Sequence, residues 1–157
     1  MNRIIAFVMA LVWVLSLSAC GNEKQEQAST YSFRGEHESF AVSNGLIVLS
    51  GEEEVFDGGD LTVMQADLFE DTAAYSATFY TMRNGAQSTL LSSSVVDYTG
   101  GSVHVEEDLG RVSGDAIITG SKVADTDEWR ENLWFELKTT DLNGEEHVYQ
   151  IQLTVTE

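Results

Sequence analysis

The chain has no proline, one cysteine and only 8 lysine and arginine residues among 157. Each scarcity excludes something. Average usage near 5% would supply about 8 prolines in a chain of this length, so turns must rest on glycine, asparagine and aspartate, and prolyl isomerisation cannot limit folding. A lone thiol makes no disulfide framework and no cysteine-ligated metal site, which leaves stability to packing. Against 26 aspartates and glutamates the few basic residues leave a formal charge of −18, disfavouring nucleic acid and anionic lipid as partners. No apolar run reaches the roughly 18 to 20 residues that cross a bilayer as a helix. There is no Gly-x-Ser-x-Gly nucleophile elbow and no His-x-x-x-His metal pair. His37, His104 and His147 are distant from one another, so neither a metal centre nor an enzyme is expected.

What is present begins with a leader. Met1-Asn2-Arg3 is followed by an apolar run from Ile4 to Leu15 and by small residues ending at Cys20, the grammar of a secretory signal. Leu17, Ser18, Ala19 and Cys20 resemble the bacterial lipobox. The resemblance implies that Cys20 receives a diacylglyceryl group, that residues 1–19 are cleaved, and that the protein is held by lipid on the outer face of a cell membrane. A thiolate is the side-chain nucleophile suited to such a transfer. At about 0.8 kcal/mol per buried methylene, two acyl chains give a stable anchor. Cleavage removes Arg3 and no acidic residue, leaving the mature chain at −19.

Residues 20–30, the lipidated cysteine and a polar stretch without large apolar side chains, read as a flexible tether. Residues 31–157 are long enough for one core and too short for two. They show repeated period-2 alternation, with three Asn-Gly pairs at 44–45, 84–85 and 143–144, the strongest short-range hairpin signal. A two-residue loop at Asn44-Gly45 would set Val42 opposite Ile47 and Phe40 opposite Leu49. At the last pair a three-residue loop, Leu142 to Gly144, sets Phe135 opposite Ile151 and Leu137 opposite Tyr149, with Asp141 opening the turn and Gly144 in the left-handed region. The middle hairpin leaves its register open. Further strands are expected over Asp60 to Leu68, around Val103 and Val105, and over Arg111 to Gly120 with Val112, Ala116 and Ile118 on one face. One short helix is expected over Asp125 to Asn132, where Asp125 and Glu128 have capping spacing. Eight or nine strands without a long helix predict an all-β fold, an antiparallel immunoglobulin-like β-sandwich in architecture, with a small closed barrel as the alternative. The opening Tyr31-Ser32-Phe33-Arg34-Gly35-Glu36, with Glu38-Ser39-Phe40, is similar to the first strands of small lipoproteins of Gram-positive bacteria, a resemblance that implies no active site.

Among candidate sites, the Gly-rich turn Glu52 to Asp60 offers carboxylates, Glu54, Asp57 and Asp60 foremost, of the hard, flexible kind that suits calcium. Asp125 to Glu128 begins like an EF-hand loop, but Trp129 and Arg130 stand where a ligand and a glycine are needed. Glu106-Glu107-Asp108 reads as a charged turn, and Ser92-Ser93-Ser94 as part of a strand. Alternation sends Phe79 and Tyr80, and likewise Trp134 and Phe135, to opposite faces, which makes Tyr80 and Trp134 the candidates for an outward binding surface. The expected molecule is a non-enzymatic, membrane-anchored module for a protein or carbohydrate ligand, with no cofactor beyond its lipid. The alternatives are a calcium-dependent module and a hydrolase whose site carries no motif.

Overall fold

The computed structural model describes residues 28–50, 53–103, 108–111, 116–119 and 127–157. They form eleven β-strands in two antiparallel sheets, with two short 3₁₀ turns. The first sheet contains β1 (Ser29–Glu36), β2 (Phe40–Ser50), β3 (Glu53–Asp57), β4 (Asp60–Val63), β7 (Asp108–Arg111), β8 (Ala116–Thr119) and β11 (Thr154–Thr156), in the order β11-β1-β2-β3-β8. Within it β4 lies against β2, and β7 against β4. The second contains β5 (Thr72–Arg83), β6 (Ala86–Val96), β9 (Leu133–Asp141) and β10 (Glu146–Gln152), in the order β10-β9-β5-β6. Two separate sheets make this the expected sandwich and not the closed barrel. The chain changes sheet at buried Leu153, whose N–H donates to the Leu133 carbonyl at 2.8 Å.

Alternation builds the core. Along β9, Leu133, Phe135, Leu137 and Thr139 are buried, while Trp134, Glu136, Lys138 and Thr140 are half-exposed. Phe79 of the second sheet lies 5.7 Å from Phe33, 5.3 Å from Phe56 and 4.8 Å from Phe135, centroid to centroid, so one ring ties both sheets together. Each such pair contributes about 0.5–1.5 kcal/mol beyond its buried area, the packing on which a chain without disulfides depends.

Two of the three Asn-Gly pairs behave as read. Asn84 and Gly85, at φ 52° and 77°, close the β5–β6 hairpin. Its register contains a bulge, for Phe79 pairs with Leu91 and Tyr80 with Thr89, leaving Leu90 as the extra residue. The last hairpin has the expected register, Phe135 with Ile151 and Leu137 with Tyr149, with Gly144 at φ 85°.

Asn44-Gly45 is not a hairpin. β2 runs straight through it, and Asn44, at φ 57°, forms a bulge at which Phe33 pairs with Gly45 and Gly35 with Val42. Val42 therefore faces Leu61 of β4 and Ile47 faces Phe56 of β3, not each other. The Asn-Gly pair supplies positive φ to a bulge as readily as to a turn, and strands on both sides of β2 override the local preference. Gly45 is required for space: a Cβ there would lie 2.1 Å from the Phe33 ring.

Three boundaries also differ. β1 begins at Ser29, whose partner is Leu49, so the sheet takes the last two residues assigned to the tether. The strand from Asp60 stops at Val63, because Met64 and Gln65 both donate to the Ser39 carbonyl and a 3₁₀ turn, Ala66–Phe69, follows. The short helix is a 3₁₀ turn, Asp127–Glu131, fastened by Trp129 packing edge-on to Tyr31 and by Arg130 Nη2 donating to the Tyr31 hydroxyl at 2.7 Å. Val103 lies outside any strand, with its N–H on the Thr72 carbonyl. Val105, Val112, Asp125, Glu106 and Glu107 lie outside the described residues, as do the leader and Cys20.

Candidate functional site

β1 runs toward the end of the sandwich where β2 and β10 begin and β4 and β9 finish. There the sheets part around an open cleft of about 440 Å³. The first sheet supplies Glu38 and Ser39 from the β1–β2 connection. This tight turn is closed by His37 N–H on the Phe40 carbonyl at 2.8 Å and by Ser39 N–H on His37 Nδ1 at 3.2 Å. The His37 ring stacks on buried Phe40 and meets the edge of Tyr149, which itself lines the cleft. Ser39 Oγ donates to Gln65 Oε1 at 2.9 Å, which fixes the segment carrying Asp67, Glu70 and Asp71 to the rim. The second sheet contributes Thr72, Thr139, Asp141, His147 and Tyr149. Five carboxylates, those of Glu38, Asp67, Glu70, Asp71 and Asp141, thus surround a single imidazole.

Asp141 is the most constrained of these acids. Its Oδ1 accepts the N–H groups of Asn143 at 2.8 Å and Glu145 at 2.7 Å, and its Oδ2 accepts the Asn143 side-chain amide at 3.3 Å. The Glu145 N–H above all, then the Asn143 donors and the neighbouring His147, hold its carboxyl below the usual range. Asp141, Glu145 and His147 each bring a ligand atom within 4.8 Å of the others. Sequence reasoning passed over this group, although the hairpin register that sets Asp141 across from Glu145 also puts His147 on the same face two residues on.

The residues singled out from the sequence are arranged differently. Glu54, Asp57 and Asp60 are not gathered into one ligand group. Glu54 shares the core-facing side of β3 with Phe56, whereas Asp57 points the other way and accepts the Gly59 N–H at 3.0 Å. Asp60 accepts the Asn44 side-chain amide at 2.7 Å. Alternation along β3 is the reason: residues three apart on a strand face opposite sides.

Tyr80 lies opposite Trp134 on the outer face of the second sheet, as alternation requires, but it is only 4% exposed. Burial, and then the charge of Glu136, push its phenol pKa up. Trp134 is half-buried. With Tyr80 buried and Trp134 half-buried, the two do not form an open aromatic platform. Ser92, Ser93 and Ser94 do lie within a strand, β6. No helix among the described residues is long and apolar enough to cross a membrane. Against protein-family profiles, curated proteins and solved structures, the chain finds no match.

Proposed function

We propose that the protein is a lipid-anchored, extracytoplasmic binding module that carries its acidic cleft at the end remote from the membrane. The observation behind this reading is the course of β1. The polar stretch after Cys20 enters the sandwich at Ser29, and the same strand ends at Glu36, about 23 Å further on at roughly 3.3 Å per residue, where the connection that follows carries Glu38 into the cleft. An anchor at Cys20 thus holds the opposite end of the domain. The hydroxyls of Ser39 and Thr72 are committed to Gln65 and to the Leu68 carbonyl, so neither stands as an activated nucleophile in the cleft. Its carboxylates favour a protein or carbohydrate ligand that presents positive charge or hydrogen-bond donors.

The test is Cys20→Ala in cells fed a labelled fatty acid. Loss of label and release from the membrane fraction are expected; a variant still labelled and retained removes the anchor.

A second reading, cation-dependent binding, is favoured by the approach of Asp141, Glu145 and His147. Two carboxylates and an imidazole suit zinc better than calcium, so this reading differs from the calcium expectation at Glu54, Asp57 and Asp60 in both place and ion. A ligand at 100 times its Kd stabilises the native state by about 2.7 kcal/mol. A zinc-dependent rise in Tm that EDTA and His147→Ala both remove supports this reading, and an unchanged Tm ends it.

A further inference from the structure

β6 is the outer strand of the four-stranded sheet, bonded to β5 alone among the described strands. Its sequence, AQSTLLSSSVV, has no charged residue in 11 positions, in a chain with 26 carboxylates. Edge strands are ordinarily guarded against new partners by charge, proline or brevity. The other edges here follow that rule. β10 opens with Glu146 and His147, β11 has 3 residues, and β7 and β8 have 4 each. β6 has only its bulge at Leu90, beyond which Leu91 to Val96 is a regular run. Every residue from Ser92 to Val96 is exposed, including Val95 and Val96.

We propose that Leu91–Val96 of β6 pairs with an extended, positively charged segment of another polypeptide, which adds a fifth strand to the sheet. Main-chain hydrogen bonds along the edge with which no described strand pairs supply the pairing. Charge selects the occupant. The edge itself is neutral and repels nothing, but its end runs into Asp97, which follows Val96 and whose carboxylate holds the turn through Thr99 and Gly101. A basic residue flanking the paired segment at that end meets the Asp97 carboxylate. A second copy of this chain fits poorly. Two molecules at −18 repel each other. Antiparallel β6–β6 pairing would also turn the two Ser29 ends in opposite directions, which a shared membrane forbids.

The inference rests on the binding-module reading and names its surface. The probe is a short synthetic peptide of alternating threonine and valine with two lysines at its amino end, added to full-length protein in detergent and followed by fluorescence anisotropy. Binding is expected, and N-methylation of the peptide's alternate edge-facing amides should weaken it about tenfold or more, since each lost hydrogen bond contributes about 1 kcal/mol. Ser92→Lys with Ser94→Lys should weaken it by about the same factor through like-charge repulsion, whereas Ser92→Ala with Ser94→Ala, which removes the same Thr78–Ser92 hydroxyl bond without adding charge, should not. No binding, or equal binding of the N-methylated peptide, overturns strand addition. Self-association of the protein that the lysine pair abolishes overturns it in favour of a second copy. Cys20 labelling is read on the same preparations, so a failed edge is distinguished from a failed anchor.

Discussion

The Asp141 carboxylate holds the β9–β10 turn with bonds from Asn143 and Glu145, and those donors depress its pKa. A carboxyl whose folded pKa lies below its unfolded value, near 3.9, adds stability that is fully present above the unfolded value. That stability is lost as pH falls through the folded value. Asp141→Ala is therefore expected to lower Tm at neutral pH, with a deficit that narrows steadily below about pH 4. A deficit that stays constant into strong acid would mean that the charge is irrelevant to the turn. Asp97, held low by Thr99 and Gly101, carries the same sign. Thr81 is the converse case. It is 3% exposed on the core side of β5, and its hydroxyl has no hydrogen-bond partner among the described residues. Thr81→Val keeps the β-branch and removes an unpaired polar atom, so a gain of about 1 kcal/mol in urea unfolding is expected; a loss would reveal a partner for that hydroxyl.

Two glycines at similar dihedrals separate a turn from a close approach between elements. Gly144 has φ 85°, and a Cβ there would meet nothing within 4 Å, whereas at Gly59, φ 72°, a Cβ would lie 2.1 Å from the Ser43 carbonyl and 2.5 Å from the Gly45 nitrogen. Gly144→Ala should lose about 1 kcal/mol from left-handed strain alone. Gly59→Ala adds a backbone clash at the β2 bulge and should lose about 3 kcal/mol or more; equal losses in parallel denaturant titrations would mean that β3 and β4 do not wedge against that bulge. The same comparison explains what could be read from the sequence. At the last hairpin the turn residues and the alternation agree, so the register was legible, and with it the alignment of Asp141, Glu145 and His147. At Asn44 the local cue is identical, but Phe33 from β1 and Gly59 from the β3–β4 connection decide the outcome. Those contacts are long-range and leave no trace in the local pattern. Alternation assigned Tyr80 to the correct face yet not its burial, which its neighbours set. Glu38, Asp67 and Asp71 meet only because β1 and β4 end where β5 begins. The run from Glu54 to Asp60 had a ligand's composition without a ligand's geometry.

At the scale of the whole molecule, the proposed anchor and the cleft define an axis. Ser29 and the β5–β6 turn lie at one end, as Tyr31 packing on Trp129 just before Leu133 requires, and the β9–β10 turn lies at the other. Along β5 the two ends are about 36 Å apart at roughly 3.3 Å per residue. Because Cys20 is the sole native cysteine and would carry lipid, a cysteine introduced on the surface can be labelled alone. Gln87→Cys and Leu142→Cys, both at exposed positions, place a dye at either end of that axis. On neutral vesicles containing an acceptor lipid, energy transfer should be clearly stronger from position 87 than from position 142. Anionic vesicles should widen the difference at low ionic strength, because the carboxylates around the cleft are driven from the surface. Physiological salt, with a screening length of about 8 Å, should return it to the neutral value. Equal transfer from both positions on every vesicle would mean that the domain lies flat and that the cleft is not held away from the membrane, whatever Cys20 carries.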